Sequence, residues 1–324
     1  MTSLLRLGTR GSPLALRQAN IVAALVQERT AVTCEVVVIK TSGDRLAEAR
    51  LSDVGGKQLF VKEIEDALLN NRVDLAVHSS KDMPAVLPDG LDLGAVLPRE
   101  DPHDALIFPT SQLPITSIKA AVAQLENGAS IGTSSVRRIA QLRKVFPTVR
   151  FKLIRGNLET RLQKLENGDC DALVLAAAGL LRLGISKRIS CLIPAKICMP
   201  APGQGIIAVE IRAKDNRVRD LVACLNDSEA SAVLTAERAI VRGLGGGCQM
   251  PIGAHASLKE HVLHLDAIVL SLDGSRCIHA MADGDPNNAD ALGVKVADQL
   301  LAEGAAEVLA EVERNRSSIK GAPQ

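Results

Sequence analysis

A chain of 324 residues holds two or three domains at about 150 residues each, enough to bury a core without disulfide or metal staples. Hydrophobic residues at 47% and charged residues at 23% exclude disorder, collagen and coiled coil. The 38 Lys and Arg against 37 Asp and Glu leave a net charge of +1, which argues against a coat for nucleic acid or anionic membrane and leaves room only for a local basic patch. With four Phe and no Trp or Tyr there is no base-stacking platform either.

In chain order, Ser12-Pro13 is an N-cap and N1 pair, opening a helix with Leu16, Ala19, Ala23 and Val26 on one face. Residues 34–40 (CEVVVIK) are β-branched and continuous, as in a strand covered on both faces. Phe60, Ile64, Ala67 and Leu68 make the next helical stripe and 74–78 (DLAVH) the next strand, so the alternation predicts a mostly parallel α/β sheet. A Pro-rich stretch over 84–114 interrupts the pattern. A second α/β unit follows, with strands at 130–132, 151–154 and 171–177, a helix over 136–146 and another lined by Leu158, Leu162 and Leu165. Pro194, Pro200 and Pro202 mark a second break before a strand at 205–211. Two linkers of this kind imply that the chain leaves the first unit and returns to it, giving a two-lobed α/β clamp with a double hinge. From about Glu229 the pattern becomes α+β: a helix to Val241, strands at 253–258, 262–270 and 276–281, a hairpin signal at Asp273-Gly274, and helices over 290–301 and 305–313.

The seven cysteines, at 34, 170, 191, 198, 224, 248 and 277, form no C-x-x-C pair and have no zinc spacing, so they read as reduced thiols. No apolar run is long enough for a signal peptide or a membrane helix, and the expected location is the cytoplasm.

Six glycine-containing turns punctuate the chain: GTRGS (8–12), GGK (55–57), GTSSVRR (132–138), RGN (155–157), GQG (203–205) and GGGCQ (245–249). Several follow a predicted strand and precede a helix, where backbone N–H groups favour anions. Arg10, Lys57, Arg137, Arg138 and Arg155 lie in these turns, at the sheet edge that faces the ligand crevice in doubly wound folds. Guanidinium forks pair with carboxylate or phosphate, so a polyanion is the expected ligand. It is not a nucleotide: GQGIIA (203–208) precedes a strand where the dinucleotide fingerprint must follow one, and Gly56-Lys57 lacks the Ser or Thr of a P-loop. Asp82 follows the 74–78 strand beside Lys81, and cationic neighbours keep such a carboxylate ionised. His78 reads as a core histidine. Cys248, with Gly243, Gly245, Gly246 and Gly247 before it, sits in a loop with little side-chain cover, as a nucleophilic thiolate would.

Eight blocks resemble the porphobilinogen deaminase (hydroxymethylbilane synthase) family, in that family's order: LGTRGSPLALRQA (7–19), VGGKQLFVKEIEDALL (54–69), DLAVHSSKDMP (74–84), REDPHDAL (99–106), IGTSSVRR (131–138), LIRGNLETRLQKL (153–165), PAPGQGIIAVEIR (200–212) and GGGCQMPIG (245–253). The resemblance implies two periplasmic-binding-protein-like lobes, 1–98 with 205–224 and 105–199, and a smaller α+β domain over 228–324. It implies stepwise condensation of four porphobilinogen molecules, with loss of ammonia, onto a dipyrromethane cofactor held as a thioether by Cys248, and hydrolytic release of hydroxymethylbilane. Each pyrrole carries an acetate and a propionate, so the growing chain brings up to twelve carboxylates and calls for arginines. By motif, Ser79, Lys81, Asp82, Thr133, Ser135, Arg137, Arg138, Arg155 and Gln204 would bind the cofactor, and Arg10, Ser12, Gln18, Lys57, Phe60, Arg155, Arg161 and Arg182 the substrate. Asp82 would be catalytic, bonding pyrrole N–H groups and stabilising the cation formed as ammonia leaves. No metal and no macromolecular partner is implied, and the absence of heptads favours a monomer. Residues 44–58 resemble a lid, with Asp53 and Gln58 departing from the family pattern, and Arg17 stands where relatives often carry an aromatic residue. The competing reading is a non-catalytic two-lobed polyanion-binding protein.

Overall fold

In the computed structural model, residues 4–42, 61–111, 115, 117–125, 128–247 and 249–320 are described; the lid expectation over 44–58, with Lys57 and Phe60, and Cys248 lie outside them. The Ser12 hydroxyl caps α1 (Pro13–Thr30) by accepting from Ala15 N at 3.3 Å. The face of α1 that goes inward is Gln18, Ala19, Val22 and Val26, so Leu16 and Ala23 sit at its margin. Two further helices are α2 (Lys62–Leu69), which buries Ile64, Ala67 and Leu68, and α3 (Ile118–Gln124).

The first sheet contains β1 (Leu5–Thr9), β2 (Cys34–Val38), β3 (Leu75–Ser79), β4 (Leu91–Val96) and β10 (Ile207–Arg212), in the order β2-β1-β3-β10-β4. The second contains β5 (Asp104–Ile107), β6 (Ser130–Gly132), β7 (Arg150–Lys152), β8 (Ala172–Ala176) and β9 (Cys191–Ile193), in the order β7-β6-β8-β5-β9. One pattern underlies both. The first three strands of each lobe pair in parallel, and the fourth position is an antiparallel strand, β10 or β5, delivered by the chain as it arrives from the other lobe. The double crossing expected from the two Pro-rich breaks is therefore how both sheets are completed.

Three expectations need correction. The strand β2 pairs only with β1 among the described strands, and Val38 is 51% exposed, so this apolar run is an edge and not a strand covered on both faces. The Pro-rich stretch is not simply a linker. It contains β4 and β5, with Pro98 and Pro102 between them, where a missing N–H disturbs no ladder. The helix expected over 136–146 stops earlier, as α4 (Val136–Leu142), and Phe146 turns back into the core. Two helices complete the second lobe, α5 (Leu158–Glu166) and α6 (Ala177–Arg182), and α7 (Asn216–Ala223) follows β10.

The third unit is α8 (Ser228–Gly243), the hairpin-linked β11 (Ile252–Lys259), β12 (Val262–Leu270) and β13 (Cys277–Gly284), then α9 (Ala289–Ala302) and α10 (Ala305–Lys320). The β11–β12 turn is Glu260-His261, both with positive φ, a primed turn built without glycine. Ala140 and Met199 of the second lobe pack on Ile268 and Leu270, while Val96 and Ile206 enter the third unit's own core. Gly205 is required between the lobes: its φ is +89°, and a Cβ there would stand 2.3 Å from the Glu100 carbonyl oxygen.

Candidate active site between the lobes

Parallel strands end on a common edge, and the loops leaving those ends carry the predicted site residues. Arg10 and Ser12 follow β1, Ser79 ends β3 and Lys81 and Asp82 follow it, Thr133 to Arg138 follow β6, Arg155 follows β7 and Arg182 closes α6 after β8. The two edges meet: Arg17 of α1 donates to the Arg182 carbonyl at 3.2 Å, and Lys81 donates to Gln204 Oε1 at 3.3 Å.

At the centre is Asp104, at the head of β5 and fully buried. It accepts from Arg138 Nη2 at 2.7 Å and Gln204 Nε2 at 2.9 Å, and pairs with Arg137 Nη2 at 2.9 Å. Burial alone would push its carboxyl up, but Arg137 and Arg138 hold it well below the usual carboxylate range. Arg138 also donates to the Val174 carbonyl, and its Nε is buried with no partner among the described residues. Burial and the nearby Arg138 push Lys81 down to about 8, against the pull of Asp82 and Asp104. Arg161, which donates to the Gly156 carbonyl, is lowered to about 10 by burial and by Arg138. Arg182 is lowered to about 10 by burial and donates to the Gly205 carbonyl at 2.6 Å. Both guanidiniums stay charged at neutral pH.

Asp82 accepts no hydrogen bond from any described residue; its charged neighbours are Lys81 and Arg161. The predicted hydroxyls are engaged locally. Ser135 caps α4, Thr133 Oγ1 accepts from Ser135 N at 3.3 Å, and Ser79 and Gln18 bond each other at 2.9 Å. Arg10 and Arg155 are half-buried. A cleft lined by Lys81, Ser135, Arg137 and Arg238 reaches the third unit at Gly247 and Met250, which bracket position 248. No group of His, Cys, Asp and Glu among the described residues could hold a metal ion.

Sequence reasoning missed Asp104, Arg238 and the Arg99–Glu237 pair. Arg238 lines the cleft from α8 and donates to the Ala85 carbonyl at 3.0 Å. Glu237, fully buried beside it, pairs with Arg99 at 2.8 Å and accepts from Gly203 N and Ala256 N. No glycine turn flags any of these, and the helical stripe of α8 hides the two on it. His78 is a core residue as expected, 3.0 Å from Glu210. Glu65 of α2 is pushed up to about 7 by burial and by Glu210.

Two α/β lobes joined by a double crossing, with Lys81, Arg137 and Arg238 lining a cleft that reaches a third α+β unit, define a two-lobed clamp with an appended domain. Residues 5–220 match the family model for the porphobilinogen deaminase, dipyromethane cofactor binding domain, and residues 232–302 the model for the porphobilinogen deaminase C-terminal domain. The chain is 45% identical over 312 residues to the porphobilinogen deaminase of Syntrophobacter fumaroxidans, covering 96% of this chain and 98% of that protein. It is 44% identical over 309 residues to that of Geobacter metallireducens, covering 95% of this chain and 94% of that protein. The chain belongs to the porphobilinogen deaminase family. Among solved structures, substrate binding domain 2 of Lactococcus lactis GlnP in its open conformation is similar at a TM-score of 0.41 and 13% identity, over 75% of this chain and 90% of that chain.

Proposed function

We propose that this chain is a hydroxymethylbilane synthase, a transferase of tetrapyrrole biosynthesis that joins four porphobilinogen molecules onto a dipyrromethane primer anchored at Cys248. The observation that carries this reading is the cleft itself. Lys81 and Arg161 neighbour Asp82, a carboxylate with no hydrogen-bond partner among the described residues, and Lys81 and Arg137 line a cleft that reaches the loop holding position 248. The residues present fit a dipyrromethane: its acetates and propionates meet a cation excess, and Arg138 Nε is a buried donor awaiting an acceptor. When bound, that group supplies a free pyrrole carbon as nucleophile. Arg137, Arg138, Lys81 and Cys248 would hold the group, and it would offer that carbon in place of the ammonia lost from each porphobilinogen.

The chain's own residues bind and orient. Arg137, Arg138, Arg155, Lys81, Ser79, Thr133, Ser135 and Gln204 hold the primer's side chains, and Arg10, Ser12, Gln18, Lys57, Phe60, Arg155, Arg161 and Arg182 those of the substrate. Asp82 stabilises the positive charge left on the substrate's methylene and bonds pyrrole N–H groups. The same reading divides the chain into 1–98 with 205–224, 105–199 and 228–324, a division supported by β10 pairing within the first sheet. It places a monomer in the cytoplasm; the six described cysteines are all free thiols, and no helix among the described residues is long and apolar enough to cross a membrane. Electrospray mass of the purified chain, followed by peptide mapping, tests it. The expected result is an excess of two linked pyrroles on the peptide holding Cys248, absent from Cys248→Ala. Wild-type protein that gains no such mass after incubation with porphobilinogen overturns the reading in favour of a non-catalytic binding protein.

A further inference from the structure

Four polar side chains converge on one buried carboxylate. Asp104 holds Arg138 Nη2 at 2.7 Å, Arg137 Nη2 at 2.9 Å, Gln204 Nε2 at 2.9 Å and the Cys198 thiol at 3.3 Å. Gln204 accepts in turn from Lys81 Nζ at 3.3 Å, so the network runs from the second lobe through the return crossing into the first. We propose that Asp104 is the positioning residue of the cleft, aiming Arg137 and Arg138, and through Gln204 also Lys81, at the carboxylates of the pyrrole chain. This inference rests on the function proposed above.

Arg137 and Arg138 are consecutive on α4, and consecutive helical side chains do not face each other. Both nonetheless reach the same carboxylate, one to each oxygen, which fixes two like charges side by side in a water-poor site. A buried ion pair is weak evidence for a stabilising role, because apolar replacements are often neutral, whereas its hydrogen-bond geometry dictates orientation. One negative charge against three cations leaves the excess for ligand carboxylates. The groups acting on Lys81 are Arg138 and Arg137, which lower its pKa, and Asp82 and Asp104, which raise it. Neutralising Asp104 therefore moves loss of the Lys81 proton to lower pH.

The test uses full-length chain purified without primer, porphobilinogen as the probe, and intact mass to follow gain of the two-pyrrole adduct. Asp104→Asn, confirmed as folded by circular dichroism, is expected to need at least tenfold more porphobilinogen for half-maximal loading. After loading, the alkaline limb of its rate profile shifts to lower pH, which a general loss of stability would not do. Asp104→Glu keeps the charge and guards against an asparagine variant that does not fold; its longer side chain displaces both guanidiniums, and it too is expected to raise the porphobilinogen requirement. Wild-type concentration dependence in Asp104→Glu, or in a folded Asp104→Asn with an unshifted limb, overturns the positioning role while leaving the proposed function intact. Wild-type chain that never gains the adduct overturns that function and this inference with it.

Discussion

Replacing Glu237 by Ala is expected to weaken the joint between the third unit and both crossings. The carboxylate is fully buried and accepts from Arg99 Nη1 at 2.8 Å, Gly203 N at 2.6 Å and Ala256 N at 2.7 Å. Arg99 sits in the outgoing crossing, Gly203 in the return crossing and Ala256 in β11, so one side chain ties three segments. Removing one member of a buried ion pair costs about 3–5 kcal/mol because the other is left uncompensated. Each orphaned backbone N–H adds about 1–3 kcal/mol unless water replaces the acceptor. Water entering the vacated space offsets part of this, and about 4 kcal/mol is the expected net loss. At about 2.1 cal/mol/K per residue, 324 residues have an unfolding entropy of about 0.7 kcal/mol/K, so the melting temperature should fall by about 6 °C. Glu237→Gln keeps the shape but turns an amide nitrogen toward a backbone donor, and is expected to recover less than half of the loss. Differential scanning calorimetry, which separates domain transitions, is the assay. A Glu237→Ala shift below about 1 °C would refute the reasoning, because three bonds to one buried carboxylate cannot vanish at so small a cost.

Asp82→Asn should fold normally and lose about 100- to 1,000-fold in turnover, the scale of removing one preorganised electrostatic group; steady-state rates within threefold of wild type remove Asp82 from the chemistry. Glu65 has a folded pKa raised from 4.5 to about 7, so its contribution to stability is present below pH 4.5 and lost as pH rises through 7. Glu65→Gln should accordingly stabilise the protein by about 3 kcal/mol at pH 8 and hardly at all at pH 4.5 in urea titrations, and an equal change at both would count against the shift. Ligand carboxylates arriving beside Lys81 should raise its pKa from about 8, so binding at pH 8 to 9 takes up protons; a pH-stat recording proton release contradicts this.

Much of the architecture was legible because each clear element has a pure period. The strand expected at 74–78 is β3, one residue along, the strand expected at 262–270 is β12, and Ser12-Pro13 caps α1 as read. What escaped was set by partners distant in sequence. β5 is four residues among prolines, and only its place between β8 and β9 makes it a strand. β2 has the composition of a central strand, but its edge position is decided by which neighbours pair with it. The glycine turns located the loops at the strand ends because helix starts are local features. Asp104, Glu237 and Arg238 were invisible for the converse reason: their roles come from residues more than thirty positions away, such as Arg138 for Asp104 and Arg99 for Glu237.

Five arginines of the site fall into two groups by what now holds them, and the difference predicts separate defects. Arg137 and Arg138 are fixed on Asp104, a charged partner that is costly to leave. Arg161, Arg182 and Arg238 donate instead to the carbonyls of Gly156, Gly205 and Ala85. A guanidinium bonded to a neutral carbonyl can take a ligand carboxylate at little cost, since a charge-assisted bond is about twice as strong as the one given up. The fixed pair suits a primer that stays in place, and the exchangeable group suits a chain whose side chains move on as each unit is added. Arg161→Leu and Arg182→Leu should therefore load primer at the wild-type rate yet stall during elongation, whereas Arg138→Leu should fail at loading. Intact mass after a pulse of porphobilinogen reads this directly. The expected pattern is primed protein carrying one to three extra units in the first two variants and unprimed protein in the third. Loading defects in Arg161→Leu and Arg182→Leu equal to that of Arg138→Leu would mean that the two groups act as one, and that the present partners of an arginine do not foretell its step.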